Sequence, residues 1–158
     1  MIPPLDHRGL LPPGRHSCAD WNQLSDRFAF NDHREKLLRR VMEFVRDRLT
    51  LLATGLDLVI GGSFLTDKVQ PGDIDLVVVI PLDQLHARQP LLDMFGREGR
   101  KGAIWELYGA EFYIYIDGLG GNNLALFFEY VGEKSAEAKG LGPKDKRGTV
   151  RMESWTLG

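Results

Sequence analysis

The longest run of regular patterning lies at residues 32–54, "DHREKLLRRVMEFVRDRLTLLAT". Leu37, Val41, Phe44, Val45, Leu49 and Leu52 recur at helical spacing, Asp32 and Glu35 stand in a capping-box relation, and Gly55 supplies a stop. The spacing predicts one long helix whose intervening arginines form a solvated face. The rhythm then changes. "LDLVIGG" (56–62) is a short apolar run of the buried-strand kind, and a polar loop with Pro-Gly follows over 63–72. "DIDLVVVIP" (73–81) is a second strand, closed by Pro81. Residues 83–95 carry a helical pattern that Pro90 is expected to break or kink. "REGRKG" (97–102) reads as a charged turn, and "AEFYIYID" (110–117) alternates as a third strand, ended by "GLGGNN". "LALFFEYV" (124–131) fits a helix or a strand.

The two ends are less regular. Residues 1–19 hold four of the eight prolines and are expected to lie extended on the surface rather than pack as an element. Residues 134–146 are polar and read as a mobile loop, and 147–154 as a final edge strand. No internal repeat is present. Helix, strand, loop, strand, helix, strand predicts a single α+β domain over residues 1–158, a small mixed sheet flanked by helices.

Composition narrows the partners. With 43% apolar and 27% charged residues over 158 positions, the chain has the balance of a globular domain with a real core. A net charge of −2 gives no global field toward nucleic acid or an anionic membrane, so a polyanion must be held locally or through metal. Cys18 is the single cysteine, and His7, His16, His33 and His86 show no zinc spacing. No signal peptide or membrane span is expected, and the location expected is the cytoplasm.

The chemistry gathers at "GGSFLTDKVQPGDIDLVVVI" (61–80). Aspartate is depleted from strands, yet Asp73 and Asp75 open one. At i and i+2 their side chains share a face with Cβ atoms about 6.5–7 Å apart, close enough to converge on a hard cation. Ile74, Leu76, Val78 and Ile80 then face the core. The glycines at 61 and 62 permit a tight turn, whose N–H groups with the Ser63 hydroxyl form a nest for phosphate oxygens. The stretch lacks the spacing of a P-loop. Thr66 and Lys68 lie in the candidate phosphate loop; Lys68 either neutralises a triphosphate or is simply exposed. Tyr113 and Tyr115 either stack on a base or pack on the sheet, and Lys144, Lys146 and Arg147 form a basic tip.

"GGSFLTDKVQPGDID" resembles the signature of the polymerase-β-like nucleotidyltransferase superfamily, a Gly-Ser followed about ten residues later by Asp-x-Asp. With "LLPPGRH", "RFAFNDHREKLL", "YGAEFYIY", "LFFEY" and "KRGTVRM", most of the chain resembles a family of small prokaryotic nucleotidyltransferase-like proteins. The resemblance implies a palm-type fold, Gly62 and Ser63 at a triphosphate, and Asp73 and Asp75 as ligands of Mg²⁺ or Mn²⁺. It also implies a third carboxylate on a neighbouring strand. Glu106, Glu111, Asp117 and Glu129 compete for that place, and Glu111 alone opens a strand as the aspartates do. The family pattern favours Asp there, so Glu111 is one methylene longer. The separate helical domain of larger relatives is missing, so acceptor choice falls to loops, a second protomer in a homodimer, or another protein.

The implied activity is transfer of a nucleoside monophosphate from an NTP to a hydroxyl of RNA or protein, with Asp73, Asp75 and Glu111 as catalytic and metal-binding residues. The alternative is a nucleotidyltransferase-fold binding module without turnover, one half of a toxin–antitoxin or phage-defence pair.

Overall fold

A computed structural model of the chain describes residues 1–119, 129 and 131–158. Five strands, Gly14–Asp20 (β1), Asp57–Gly61 (β2), Ile74–Pro81 (β3), Ala110–Asp117 (β4) and Gly148–Ser154 (β5), form one mixed sheet in the order β1-β5-β2-β3-β4. The outer pairs, β1–β5 and β3–β4, are parallel; β2 runs antiparallel to both its neighbours. The fold is therefore α+β with a mixed sheet.

Helices accompany that sheet, those within residues 21–53 and 89–108 packing on one of its faces. They are Trp21–Phe28 (α1), Asp32–Phe44 (α2), Thr50–Ala53 (α3), Gln89–Glu98 (α4), Ala103–Tyr108 (α5) and Glu133–Lys139 (α6). The main core joins Leu58, Ile60, Leu76, Val78 and Phe112 from the strands to Leu24, Leu37, Val41 and Phe44 from the helices. The opposite face carries a smaller apolar strip, Val59 and Val77 with Val79, Tyr113 and Tyr115 packed against it.

Several expectations from the pattern are corrected. The N-terminal segment is not a surface strap: β1 pairs along β5, and Ile2, Leu10 and Leu11 are buried. Because β1 takes the outer place, β5 lies inside the sheet rather than at its edge. Residues 134–146 are not a loop throughout. Their first part is α6, anchored where Lys139 Nζ donates to Arg8 O at 2.6 Å and to Asp67 Oδ1 at 2.7 Å, with Ala136 buried beside Leu10 and Val131.

Pro90 sits in the first turn of α4, where its missing N–H costs nothing, so it starts the helix instead of breaking it. The long helix runs as α2, a π-helical turn at Val45–Leu49, and α3. Asp20 caps α1 by accepting from Gln23 N, a helix the apolar pattern leaves unassigned. Of the segment 124–131, all but 129 and 131 lie outside the described residues.

Candidate metal centre

Strand register builds the site. Asp75 stands beside Glu111 on β4 and beside Gly61 on β2. Asp73 lies two residues earlier, just ahead of β3, where Ile74 N donates to Gly109 O at 2.9 Å and starts the parallel pairing. One carboxylate oxygen from each of Asp73, Asp75 and Glu111 comes within 4.8 Å of the others, a set that could hold a metal ion.

The turn after β2 is fitted to this cluster. Gly62 has φ +87°, in the left-handed region, and a Cβ there would lie 2.0 Å from Asp75 Oδ2. The carboxylate thus rests directly on the turn's backbone, and no other residue is compatible at this point. Asp75 is only 7% exposed, and its Oδ1 has no hydrogen-bond partner among the described residues. An unpaired buried carboxylate oxygen is costly, and a proton or a bound cation would offset that cost.

Electrostatics agree with that reading. Burial pushes the Asp75 carboxyl well above the usual carboxylate range; hydrogen bonding to Glu111 and the charges of Asp73 and Glu111 act in the same direction, against Arg147. Burial also raises Asp73, opposed by the indole N–H of Trp105, which donates to Asp73 Oδ2 at 3.0 Å, and by the charges of Lys101 and Lys68. The Tyr113 hydroxyl donates to Glu111 Oε1 at 2.5 Å, and burial followed by that bond raises the phenol. An acidic centre with Lys68, Lys101 and Arg147 acting on it suits a cation with an anionic ligand attached.

The candidate phosphate loop is shaped from beneath by Arg34. This residue was expected on a solvated helix face, yet it is fully buried. Its guanidinium donates to the carbonyls of Phe28, Ser63, Phe64, Thr66 and Lys68, at 2.6–3.5 Å. Burial lowers its pKa to about 10, so it keeps its charge at neutral pH. Ser63 opens a 3₁₀ turn, Ser63–Leu65. The Thr66 hydroxyl is used inside the loop, donating to Ser63 O at 2.7 Å and accepting from Lys68 N at 3.1 Å, and so holds the loop's shape. Lys68 is exposed, near enough to Asp73 to act on its charge.

Other candidates fall elsewhere. Asp117 pairs with Pro81 at the far end of β4, and Glu106 is exposed on α5. Arg147 does not belong to an exposed basic tip with Lys144 and Lys146; it is 8% exposed and its charge acts on Asp75. Tyr115 is half-buried in packing against Val59 and Val77. Among the described residues no helix is long and apolar enough to cross a membrane.

Fold and site together define a mixed-sheet α+β protein whose acidic triad, with Asp75 buried between half-buried Asp73 and Glu111, could hold a metal ion. The family model for DUF6932, a family of unknown function, matches residues 3–151, and the chain belongs to that family. No curated protein and no solved structure matches it.

Proposed function

We propose that the chain is a metal-dependent nucleotidyltransferase with a polymerase-β-like fold, moving a nucleoside monophosphate from an NTP to a hydroxyl of RNA or protein. The observation that carries this is the Asp75 carboxylate, buried against Gly62 with one oxygen unpaired and two further carboxylates within reach. Three acidic groups so close repel one another unless protons or cations intervene. Of the cations this donor set suits, Mg²⁺ or Mn²⁺ fits a triphosphate ligand.

Asp73, Asp75 and Glu111 hold the metal, and the Gly62–Ser63 backbone with the Ser63 hydroxyl receives the phosphates. Lys68 at the rim offsets their charge. The bound metal supplies charge neutralisation at the phosphoryl oxygens and a lowered pKa for the acceptor hydroxyl. Glu111 takes the proton from that hydroxyl, and the hydroxyl oxygen then bonds the α-phosphorus as the α–β bridge breaks and pyrophosphate leaves.

Incubating the protein with each α-labelled NTP, Mg²⁺ or Mn²⁺, and cell lysate is expected to place label in RNA or protein. Glu111→Gln is expected to lower transfer about a hundredfold or more while largely sparing nucleotide affinity. Tight NTP binding in EDTA, unaffected by Asp75→Asn, would sink the metal-site reading. Metal-dependent binding without any transfer would make the chain a nucleotide-binding module.

A further inference from the structure

We propose that Trp105 and Tyr113 make the triad selective for Mg²⁺ and Mn²⁺ over Ca²⁺, by each occupying one oxygen of a metal-binding carboxylate. The inference rests on the metal-site reading above and concerns which cation that site accepts.

Trp105 Nε1 donates to Asp73 Oδ2 at 3.0 Å, and the Tyr113 hydroxyl donates to Glu111 Oε1 at 2.5 Å. Asp73 Oδ1 and Glu111 Oε2 are the oxygens these donors leave over. Asp75 Oδ2 lies against the Gly62 backbone, where a Cβ would stand 2.0 Å away, and its Oδ1 is buried with no hydrogen-bond partner among the described residues. Asp73 and Glu111 therefore each present a single oxygen rather than a chelating pair.

That distinction separates cations. Ca²⁺ takes about 6–8 oxygens and readily uses both oxygens of one carboxylate, whereas Mg²⁺ requires octahedral geometry and keeps several waters. Single oxygens from Asp73 and Glu111, with Asp75 and water or phosphate in the remaining positions, satisfy the smaller ion. Beyond Asp75, Ca²⁺ gains a second oxygen from these carboxylates only by displacing an indole or a phenol.

Both donors are held in place. Trp105 lies on α5, a short helix closed by Gly109 in the left-handed conformation, and Lys101 Nζ sits 5.4 Å from its ring centroid. Tyr113 follows Glu111 by two residues on β4 and packs against the Val59–Val77 strip.

The test is Mn²⁺ binding followed by electron paramagnetic resonance, with Mg²⁺ and Ca²⁺ as competitors and no nucleotide present. Wild type, Trp105→Phe, Trp105→His and Tyr113→Phe are compared, each checked for folding by thermal melting. Wild type is expected to favour Mn²⁺ and Mg²⁺ over Ca²⁺. Each Phe variant is expected to lose about tenfold in Mn²⁺ affinity while Ca²⁺ holds or gains, and Trp105→His, which returns an N–H, to recover part of the preference. A Mn²⁺/Ca²⁺ ratio unchanged in both Phe variants overturns the proposal, as does a wild type without preference; in either case the metal site stands. A wild type that binds none of the three cations overturns both. Tyr113→Phe removes only a hydroxyl, so the question is answered even if the tryptophan variants do not fold.

Discussion

Burial holds the Asp75 and Asp73 carboxyls above their ordinary value of 3.8. The folded chain then binds those protons more tightly than the unfolded chain. As pH rises from that value through the raised native ones, the unfolded state is the first to release them, and stability falls. Two groups act in the opposite sense: Asp6, lowered by Arg8 despite some burial, and Glu98, lowered by Arg48. Their contribution is complete above their ordinary values of 3.8 and 4.5, which leaves the higher range to the aspartates. In EDTA, the melting temperature is expected to drop as pH rises above the ordinary carboxylate range. Asp75→Asn is expected to flatten that slope and leave the metal-free protein as stable or slightly more so at neutral pH. A loss of several kcal/mol would instead mark Asp75 as a structural partner of Arg147. The triad was legible at this scale because strand parity alone puts Asp73 and Asp75 on one face and Glu111 at the start of a neighbouring strand. Arg34 was legible too, since it precedes Leu37, Leu38 and Val41 on the same helical stripe, though arginine is a residue type that usually stays exposed. Trp105 was not, because a six-residue helix shows too little periodicity to announce itself.

The loop between β2 and β3 owes its form to α2 more than to its own sequence. Five carbonyls converge on one guanidinium, and removing it leaves buried acceptors that cost about 1–3 kcal/mol each if nothing replaces the donors. Arg34→Met is therefore expected to destabilise the protein by about 3 kcal/mol or more in urea unfolding. Limited proteolysis is expected to cut first between residues 63 and 72. Arg34→Lys recovers only part, because an ammonium offers three donors where the guanidinium fork offers five. A variant that melts normally and resists the protease would show that the loop holds itself. Strands β2, β3 and β4 were readable because their apolar runs are buried. β1 was not: in "GRHSCAD" Cys18 alone is buried, and the strand is held by backbone pairing to β5 that no side-chain alternation records.

At the scale of the molecule, the parts least visible in the sequence decide the sheet. Nothing in a local pattern says that Gly148–Ser154 lies between Gly14–Asp20 and Asp57–Gly61. The arrangement makes β5 indispensable, since it pairs on both sides and buries Val150 and Met152. A chain ending at residue 146 leaves β1 without a partner and exposes an edge of β2, so it is expected to lack a cooperative thermal transition by circular dichroism. A sharp transition near that of the full chain would show that β2–β4 and the helices fold without it. The same topology sets an order of events during synthesis. The ribosome releases β1 first and β5 last, yet their contact is parallel and spans nearly the whole chain. Until β5 emerges, β1 waits unpaired beside a three-stranded sheet with an open edge, and closing the gap is the long-range step expected to limit the folding rate. Arg147 arrives with that same segment, so the pocket around Asp75 takes its final electrostatic form only once β5 has emerged.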